Sequence, residues 1–350
     1  MSLQLDVLRI VASVVVGTSV LTLIGPLVGE VVATLPPLFL AKARYAPDSL
    51  ALPYEEVAFP TAEGLILRGW FFPTEQPNAP AVLYAPSTAH DQRSGLSLVT
   101  ALHHAGYQVL LFSYRGQARS EGNYFGFTYG FAESEDVDAA VRFLYETRGI
   151  HRIGAIGHSV GAVSIILSAA RNPRLGAVVA ASPFNCVDEV WQTSRPSWLP
   201  GFVFDFILRL SELRKGFSRS AVCPLKVVSE IAPRPVLIIQ GTRDQHITEQ
   251  QMESLFAAAA EPKTLWLIEG ATHADVRSPM LDALMSDVIA FLDDALREEP
   301  PIPQCAAAAE VSGVTDDSAI EAPGIPERAL AFGAGQPWQS RVRLRPLVQR

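Results

Sequence analysis

The pentapeptide Gly157-His158-Ser159-Val160-Gly161 constrains this chain more than any other stretch, because it separates a short apolar run from a helix-forming segment. A serine on such a strand-to-helix turn needs neighbours without side chains two positions away on each side, since the turn is too tight for Cβ atoms there. The helix that follows directs its free N–H groups and its positive dipole end at the place where an oxyanion would form. The pattern therefore predicts that Ser159 is a nucleophile on a sharp elbow.

Three glycines, Gly154, Gly157 and Gly161, also have the spacing of a dinucleotide-binding turn. That turn normally opens the first strand–helix unit of a domain and is followed by an acidic residue about 20 positions later. Here the glycines lie in the middle of the chain, and residues 178–182 contain no acid. We therefore expect no dinucleotide at this turn, and the chain suggests no other cofactor.

The chain has 350 residues, of which 49% are hydrophobic, and a net charge of −8. This length is enough for one large α/β domain with extensions. The acidic balance, without a Lys/Arg stripe among aromatic residues, argues against a nucleic-acid partner. No His-Glu-x-x-His or paired Cys-x-x-Cys pattern occurs, so no metal is expected. The cysteines are odd in number and widely spaced, which favours buried or tail thiols over a disulfide; they are Cys186, Cys223 and Cys305.

Residues 10–29 contain no charged side chain. At about 1.5 Å per residue, a helix of this length just crosses a hydrocarbon core of about 30 Å. A buried core helix is disfavoured because the segment has no polar face, and a cleaved signal peptide is disfavoured because the apolar region is too long. We therefore expect residues 1–44 to form an N-terminal anchor with a single transmembrane span. The flanking charges, Arg9, Lys42 and Arg44, do not determine its orientation.

Between residues 45 and 297, segments with a strand pattern alternate with segments with a helix pattern. Strands are predicted at residues 56–61, 65–72, 81–85, 108–113, around 153, 177–180, 235–240 and 264–268, and helices at 94–105, 133–147, after the elbow, 248–259 and 280–296. The first two strands read as a hairpin through Ala62-Glu63-Gly64. This order predicts an α/β domain with a mostly parallel, doubly wound sheet and an antiparallel leading hairpin.

The alternation stops between about residues 184 and 232, where an apolar stretch from Trp198 to Leu210 lies between two core strands. We expect an inserted helical cap here. It either packs as an ordinary helix or covers a pocket, where it would line an acyl-binding cleft or touch a bilayer. Residues 298–350 are rich in Pro, Ala and Gly without periodicity, and we expect a disordered tail.

A serine nucleophile needs a base, an orienting acid and oxyanion donors. Asp244 follows one predicted core strand, and His273 follows the next one along the chain. Both positions lie just beyond the carboxyl ends of strands, where the catalytic groups of open α/β sheets gather. The chain order of serine, acid and histidine therefore predicts the catalytic triad Ser159, Asp244 and His273.

Other polar side chains near these positions are weaker candidates. His246 is an alternative base, but it lies two residues from the acid on the same loop. Asp275 is an alternative acid, but it lies only two residues from the predicted base and is badly placed to reach the ring. His158 adjoins the nucleophile, and on a sharp turn its side chain is expected to point away and to serve in packing.

The oxyanion donors are predicted to be backbone N–H groups. One is that of Val160, at the start of the elbow helix. The other comes from the loop after the third strand, Ala85-Pro86-Ser87-Thr88. Because Pro86 has no N–H, Ser87 is the expected second donor of the oxyanion hole, with Thr88 behind it.

Five stretches of the chain resemble the α/β-hydrolase superfamily. They are Leu52 to Thr61, Gly106 to Gly116, Gly157 to Gly161, Ala232 to Gly241 and Gly270 to Asp275. More narrowly, they are similar to membrane-anchored bacterial serine hydrolases of the Bem46 and ABHD12/ABHD13-like type. The resemblance implies an α/β-hydrolase fold, a location in the bacterial inner membrane, and an esterase or lipase-like activity on small-molecule or lipid esters, including thioesters.

The chain departs from the family pattern at three places. Ala85-Pro86 replaces the usual His-Gly before the oxyanion donor, Ser113 replaces an aspartate, and Ala118 replaces a glycine. These changes leave the triad intact but alter the surroundings of the oxyanion hole. A membrane-tethered scaffold that keeps the fold with weak or no catalysis is therefore an alternative function, and a serine peptidase is another.

Overall fold

The computed structural model describes residues 47–87, 90–123, 126–195, 197, 199–277 and 284–296. They form one eight-stranded sheet in the order β1-β2-β4-β3-β5-β6-β7-β8. The strands are β1 (Glu55–Pro60), β2 (Ile66–Phe72), β3 (Ala81–Ala85), β4 (Gln108–Ser113), β5 (Ile153–His158), β6 (Leu175–Ala181), β7 (Val236–Gly241) and β8 (Lys263–Ile268). The α-helices are α1 (Leu96–His104), α2 (Phe131–Arg142), α3 (Val160–Arg171), α4 (Val187–Ser194), α5 (Gly201–Lys215), α6 (Pro224–Val227), α7 (Glu249–Ala258) and α8 (Met285–Leu296).

The first two strands form the antiparallel part of the sheet. β1 pairs with β2, and β2 pairs with β4, both antiparallel, whereas all the later pairs are parallel. The hairpin between β1 and β2 closes where the Thr61 N–H donates to the Leu65 oxygen at 2.8 Å, and Gly64 adopts a φ of 88°. The predicted α/β class, with a mostly parallel sheet and an antiparallel leading hairpin, is confirmed.

Helices cover both faces of the sheet. Alternate residues of a strand point to opposite faces, so Ala155 of β5 packs on one side with Val137 of α2 and Ile165 of α3. The next residue, Ile156, packs on the other side with Leu98 of α1. Because both faces are buried, the central strands are apolar throughout instead of alternating with polar residues.

Parallel pairing aligns the carboxyl ends of the central strands. His158 at the end of β5 lies beside Ala181 of β6, which in turn lies beside Ile239 of β7. Ile239 pairs with Trp266 of β8. The segments that follow β5, β7 and β8 therefore leave the sheet at one edge, and this edge carries the candidate site.

The insertion between β6 and β7 contains α4, α5 and α6, and its two ends are joined. The Val187 N–H donates to the Val222 oxygen at 3.0 Å, and next to this bond Cys186 and Cys223 form a disulfide. The expectation of free thiols is therefore wrong for this pair. The two cysteines are 37 residues apart in the sequence, and only the return of the insertion to its starting point brings them together. Cys305 lies outside the described residues.

The predicted anchor, with its span at residues 10–29, and the predicted tail at 298–350 lie outside the described residues. Within the part of the chain that the structure describes, no helix is both long enough and apolar enough to cross a membrane. The anchor and the tail therefore stay predictions.

Candidate active site

Ser159 lies between the last residue of β5 and the first residue of α3. Its backbone angles, φ 55° and ψ −120°, fall in a region that residues with side chains rarely adopt. The Ser159 N–H donates to the Ala181 oxygen of β6 at 2.8 Å and holds the turn. A Cβ on Gly157 would lie 2.5 Å from the backbone of Gly161, so the turn accepts only glycine there. The elbow is therefore strained, as the sequence pattern indicates for a serine nucleophile.

Asp244 and His273 meet at the same edge of the sheet. Nδ1 of His273 lies 2.6 Å from Oδ2 of Asp244. The other carboxylate oxygen accepts hydrogen bonds from the backbone N–H groups of His246, at 2.8 Å, and Ile247, at 3.0 Å. Because an ionised carboxylate only accepts, Nδ1 of His273 carries the proton and Nε2 is left as the acceptor.

The charge of Asp244 is stabilised by these contacts. Burial acts to raise the pKa of this carboxyl, but its hydrogen bond and charge interaction with His273, together with the two backbone bonds, lower the pKa to about 2. Asp244 is therefore ionised throughout the neutral range. An ionised acid in this position orients the imidazole and stabilises its protonated form.

His158 joins the elbow to the loop that carries His273. The two imidazole rings lie 4.8 Å apart, centroid to centroid, and Nε2 of His158 lies 2.9 Å from the His273 backbone oxygen. A carbonyl oxygen only accepts, so Nε2 of His158 carries the proton. The ring is buried, as a packing role predicts, but the expectation that it points away is wrong, because it contacts the ring and the backbone oxygen of His273. The contact places His273 beside the residue that precedes Ser159.

Gln240 supports the loop of the acid and was not identified by the sequence pattern. Its side chain is fully buried at the end of β7. Its Nε2 donates to the backbone oxygens of Gly241, at 3.2 Å, and Ile247, at 3.1 Å. The one signal in the sequence is a polar residue at the end of an otherwise apolar strand.

His246 and Asp275, the alternative base and the alternative acid, make other contacts. The His246 ring stands edge-on, 5.2 Å from the His273 ring, and is exposed. The Asp275 carboxylate accepts bonds from the N–H and the hydroxyl of Thr272, at 2.8 and 2.7 Å, and these bonds lower its pKa. Asp275 therefore closes the turn of the loop, while Asp244 is the acid that contacts the imidazole of His273.

The loop after β3 lies directly against the elbow. A Cβ on Gly161 would lie 2.1 Å from the Ala85 oxygen and 2.8 Å from the Pro86 oxygen. Val160 is the first residue of α3, where a backbone N–H has no partner within the helix. Ser87 follows Pro86 and is buried. The two predicted oxyanion donors thus belong to backbone segments that touch each other.

Two of the departures from the family pattern have a structural account. Ser113 is fully buried, and its hydroxyl donates to Oε1 of Gln92 at 2.7 Å. Ala118 has a φ of 48°, a left-handed conformation that glycine adopts without strain and that costs other residues about 1 kcal/mol or more. The buried Ser113 hydroxyl therefore has a hydrogen-bond partner, whereas the backbone of Ala118 is strained. Thr88 lies outside the described residues.

Replacing Gly161 with alanine is expected to lower kcat/KM by about 10²-fold or more, because the new Cβ must push the Ala85 and Pro86 carbonyls away from the elbow. Hydrolase activity of the purified variant measures the effect. Gly201→Ala is a matched control, since a Cβ at Gly201 meets nothing within 4 Å. A folded Gly161→Ala variant with the wild-type rate would contradict the close approach of the two segments.

His158 is expected to make the protein less stable as the pH falls. It is 3% exposed, and burial is the main cause that lowers its pKa to about 3, although the bond to the His273 backbone oxygen acts to raise it. Since the unfolded chain takes up this proton near pH 6.5 and the folded chain does not, stability falls as the pH drops from about 6.5 towards 3. One such proton changes the free energy of unfolding by about 1.4 kcal/mol per pH unit.

His158→Gln keeps an N–H donor for the His273 oxygen but does not titrate. Its free energy of unfolding should therefore decline less steeply than that of the wild type across this pH range. Urea titrations at several pH values measure both curves. Parallel curves for the two proteins would mean that His158 is not held neutral in the fold.

Comparisons with known proteins agree with this architecture. Residues 82–214 match the family model described as serine aminopeptidase, S33. The uncharacterized protein Rv2307c of Mycobacterium tuberculosis is 34% identical over 237 residues, which cover 65% of this chain and 77% of that protein. The uncharacterized protein YqkD of Bacillus subtilis is 30% identical over 253 residues, which cover 69% of this chain and 80% of that protein.

Solved structures show the same fold. The esterase Pf2001 of Pyrococcus furiosus aligns with a TM-score of 0.60 at 23% identity, over 72% of this chain and 96% of that chain. The hypothetical protein PA2218 of Pseudomonas aeruginosa aligns with a TM-score of 0.58 at 20% identity, over 70% and 94% of the two chains. At these identities the likeness concerns the fold alone. From the sheet order, the strained serine elbow and these relatives together, we conclude that the chain belongs to the α/β-hydrolase superfamily.

Proposed function

We propose that this protein is a serine hydrolase that cleaves carboxylic ester bonds through an acyl-enzyme intermediate. The observation that carries the proposal is the 2.6 Å contact between Nδ1 of His273 and Oδ2 of Asp244. His158 bonds the loop of His273 to the strained elbow that carries Ser159. The match to a serine-hydrolase family model and the fold shared with an esterase support a serine-type α/β hydrolase.

The reaction proceeds in two steps in this proposal. Ser159 Oγ attacks the ester carbonyl while Nε2 of His273 takes its proton, and the N–H groups of Val160 and Ser87 hold the oxyanion. The protonated imidazole, stabilised by Asp244, then gives its proton to the leaving alcohol as the acyl-enzyme forms. Water, activated by the same imidazole, releases the acid and restores the serine. A small-molecule or lipid ester is the expected substrate, and no cofactor takes part.

A fluorophosphonate probe tests the nucleophile directly. The wild type should form a covalent adduct as Ser159 Oγ displaces fluoride from phosphorus, and Ser159→Ala should form none. Ser254→Ala, which removes an exposed hydroxyl on α7, is the matched control and should be labelled like the wild type. Labelling that survives in Ser159→Ala would overturn the assignment of the nucleophile.

A serine peptidase is a second candidate, because the matching family model is described as a serine aminopeptidase. The same triad hydrolyses amides, so the leaving group decides between the two activities. Parallel assays with p-nitrophenyl esters of short and long acyl chains and with aminoacyl p-nitroanilides separate them. We expect turnover of the esters that depends on Ser159; turnover of the anilides alone would favour the peptidase. Absence of turnover with both would favour the non-catalytic scaffold, which the Ala85-Pro86 loop motivates.

We further propose that residues 10–29 anchor the protein by a single span in a bacterial inner membrane, as in the Bem46 and ABHD12/ABHD13-like type. The absence of charged residues in this segment supports the proposal. The full chain should remain in the membrane fraction after alkaline carbonate washing. A chain that begins at residue 45 should be released, and release of the full chain by the same wash would contradict the anchor.

A further inference from the structure

Helix α5 of the insertion exposes large apolar side chains to solvent. Phe202 is 77%, Phe206 51% and Leu213 82% exposed, and no other large hydrophobic side chain among the described residues is exposed to this extent. At 3.6 residues per turn, the three positions fall within about 40° of one another around the helix axis. Arg209, also exposed, falls on the same side, and the exposed Asp205 lies one turn before it at the edge of this side. We refer to Phe202, Phe206, Arg209 and Leu213 as the α5 stripe.

The rest of the helix is fixed, so the stripe cannot simply turn inward. Leu208 on the opposite side belongs to the hydrophobic core, and Phe204 packs against it. Nζ of Lys215 donates to the Phe127 oxygen at 2.7 Å. Gly216 ends the helix in a left-handed conformation with a φ of 69°. Because α5 has a separate apolar side for the core, the stripe is a second apolar side without a function in folding.

We propose that the α5 stripe docks on the headgroup region of a lipid bilayer. A helix with Phe and Leu on one side and charged residues beside them is typical of segments that lie in the membrane interface. Arg209 within the stripe is placed to contact lipid phosphates. Because the exposed Asp205 lies beside Arg209, the stripe has little net charge, and its apolar side chains account for the docking.

The size of the stripe argues against a second copy of the chain as its partner. Three side chains of this kind present on the order of 500 Å² of surface. Stable protein–protein interfaces need about 800 Å² from each partner. Insertion into a bilayer needs neither a larger area nor a complementary protein surface.

The segment that precedes Pro47 also favours a bilayer as the partner of the α5 stripe. Residues 30–46 connect the proposed span to the first described residue, Pro47. Even fully extended, a connection of this length reaches no further than about 60 Å. The anchor would therefore hold the domain close to the bilayer, where a shallow contact through the α5 stripe forms without a further loss of translational freedom.

Docking of the α5 stripe would also favour one class of substrate. This step rests on the proposed function. The stripe belongs to the insertion, and the insertion begins after the carboxyl end of β6, where the Ala181 oxygen accepts a hydrogen bond from the Ser159 N–H. Docking would hold the candidate site next to the lipid. Esters that partition into the bilayer are then the substrate class that the protein meets at high local concentration.

Tryptophan fluorescence tests the docking without any need for catalysis. Phe206→Trp in the full chain is a conservative change at an exposed position, and its signal is taken as the difference from the wild type. The protein is bound to phosphatidylcholine vesicles with a minority of phosphatidylglycerol, with bromine placed near the headgroup end of the acyl chains. Since an interfacial helix lies about 5–10 Å deep, we expect a blue-shifted emission that brominated lipid quenches about two-fold. Gln250→Trp on α7, which is exposed, is the matched control and should not be quenched.

Two results would overturn the proposal. A blue-shifted emission that bromine does not quench would mean that protein covers the stripe, either residues 10–29 or a second copy. An emission typical of water, without quenching, would mean that the stripe stays in solvent. The triple variant Phe202→Ser, Phe206→Ser, Leu213→Ser gives a second readout. It should hydrolyse short soluble esters like the wild type and long-chain esters in vesicles about ten-fold more slowly. Quenching without any Ser159-dependent hydrolysis would support the docking and reject only the proposed function.

Discussion

Ser159→Ala, His273→Ala and the variant that combines both changes are expected to hydrolyse p-nitrophenyl esters equally slowly, with kcat about 10⁴–10⁶-fold below the wild type. The equality follows from the mechanism, since nucleophile and base act in one proton transfer and the loss of either stops it. The residual rate comes from the oxyanion hole and from substrate binding, which all three variants retain. Steady-state kinetics on the purified variants measures kcat.

His246→Ala is the matched control for this experiment. It removes the neighbouring imidazole, 5.2 Å from that of His273, from the loop of the acid. We expect kcat close to the wild type, because the His246 backbone N–H, which bonds Asp244, is unchanged. If the combined variant lost the product of the two single losses, Ser159 and His273 would act independently and the triad would be rejected. A large loss in His246→Ala would instead make that residue the base.

The largest expected loss of stability is that of Arg115→Ala, about 3–5 kcal/mol in the free energy of unfolding. Asp136 is 0% exposed, and the Arg115 guanidinium donates a hydrogen bond from Nε to its carboxylate at 2.9 Å and places a terminal nitrogen in ion-pair contact at 2.8 Å. The Arg115 backbone N–H adds a bond of 2.8 Å. Without the guanidinium, a buried charge is left with no cation beside it. Urea denaturation measures the loss.

The pKa of Asp136 determines how this loss of stability should depend on pH. Burial raises the pKa of Asp136 to about 7, although Arg115 acts to lower it. Burial acts to lower the pKa of the Arg115 guanidinium, but the carboxylates around it raise this pKa above the usual value. We interpret the pair as charged, because two hydrogen bonds and an ion-pair contact from Arg115 converge on the carboxylate. In Arg115→Ala, uptake of a proton by Asp136 relieves the buried charge, so the loss of stability should be smaller in acid than at neutral pH.

Two further variants separate this cause from others. Adding Asp136→Asn to Arg115→Ala should recover part of the lost stability, since no charge remains to be buried. Arg119→Ala is the matched control, because its ion pair with Glu56 is exposed and should contribute at most about 1 kcal/mol. A loss in Arg115→Ala that is equal at all pH values and is not relieved by Asp136→Asn would indicate lost packing instead of an unpaired charge.

Local patterns in the sequence were sufficient to predict much of the fold. The strands β3 and β4 begin and end where the apolar runs at residues 81–85 and 108–113 predict. The strained turn at Ser159 follows from glycines on either side, whose absence of Cβ atoms is a local requirement. The antiparallel start of the sheet follows from a short turn between two strands, which cannot join parallel partners.

Positions along the chain also place the acid and the histidine at neighbouring strand ends. The order of crossovers is restricted enough in doubly wound sheets that residues after β7 and β8 must emerge at one edge. What this reasoning does not supply is the direction of a side chain. His158 was expected to point away from the site, whereas its ring bonds the His273 loop across a sequence separation of 115 residues. The sequence did not predict the role of Gln240 for the same reason. The hydrogen-bond partners of its side chain lie on a loop whose path no local pattern predicts.

The sequence by itself determined the elbow, the alternation of strands and helices and the candidate triad, because each depends on backbone sterics, on periodic burial or on chain order. Only the tertiary structure decided the disulfide between Cys186 and Cys223, the ion pair of Arg115 with Asp136 and the outward direction of the α5 stripe. These features join residues that are distant in the chain, or divide one helix between core and solvent. They depend on how complete elements pack against one another, and that packing is a property of the folded chain as a whole.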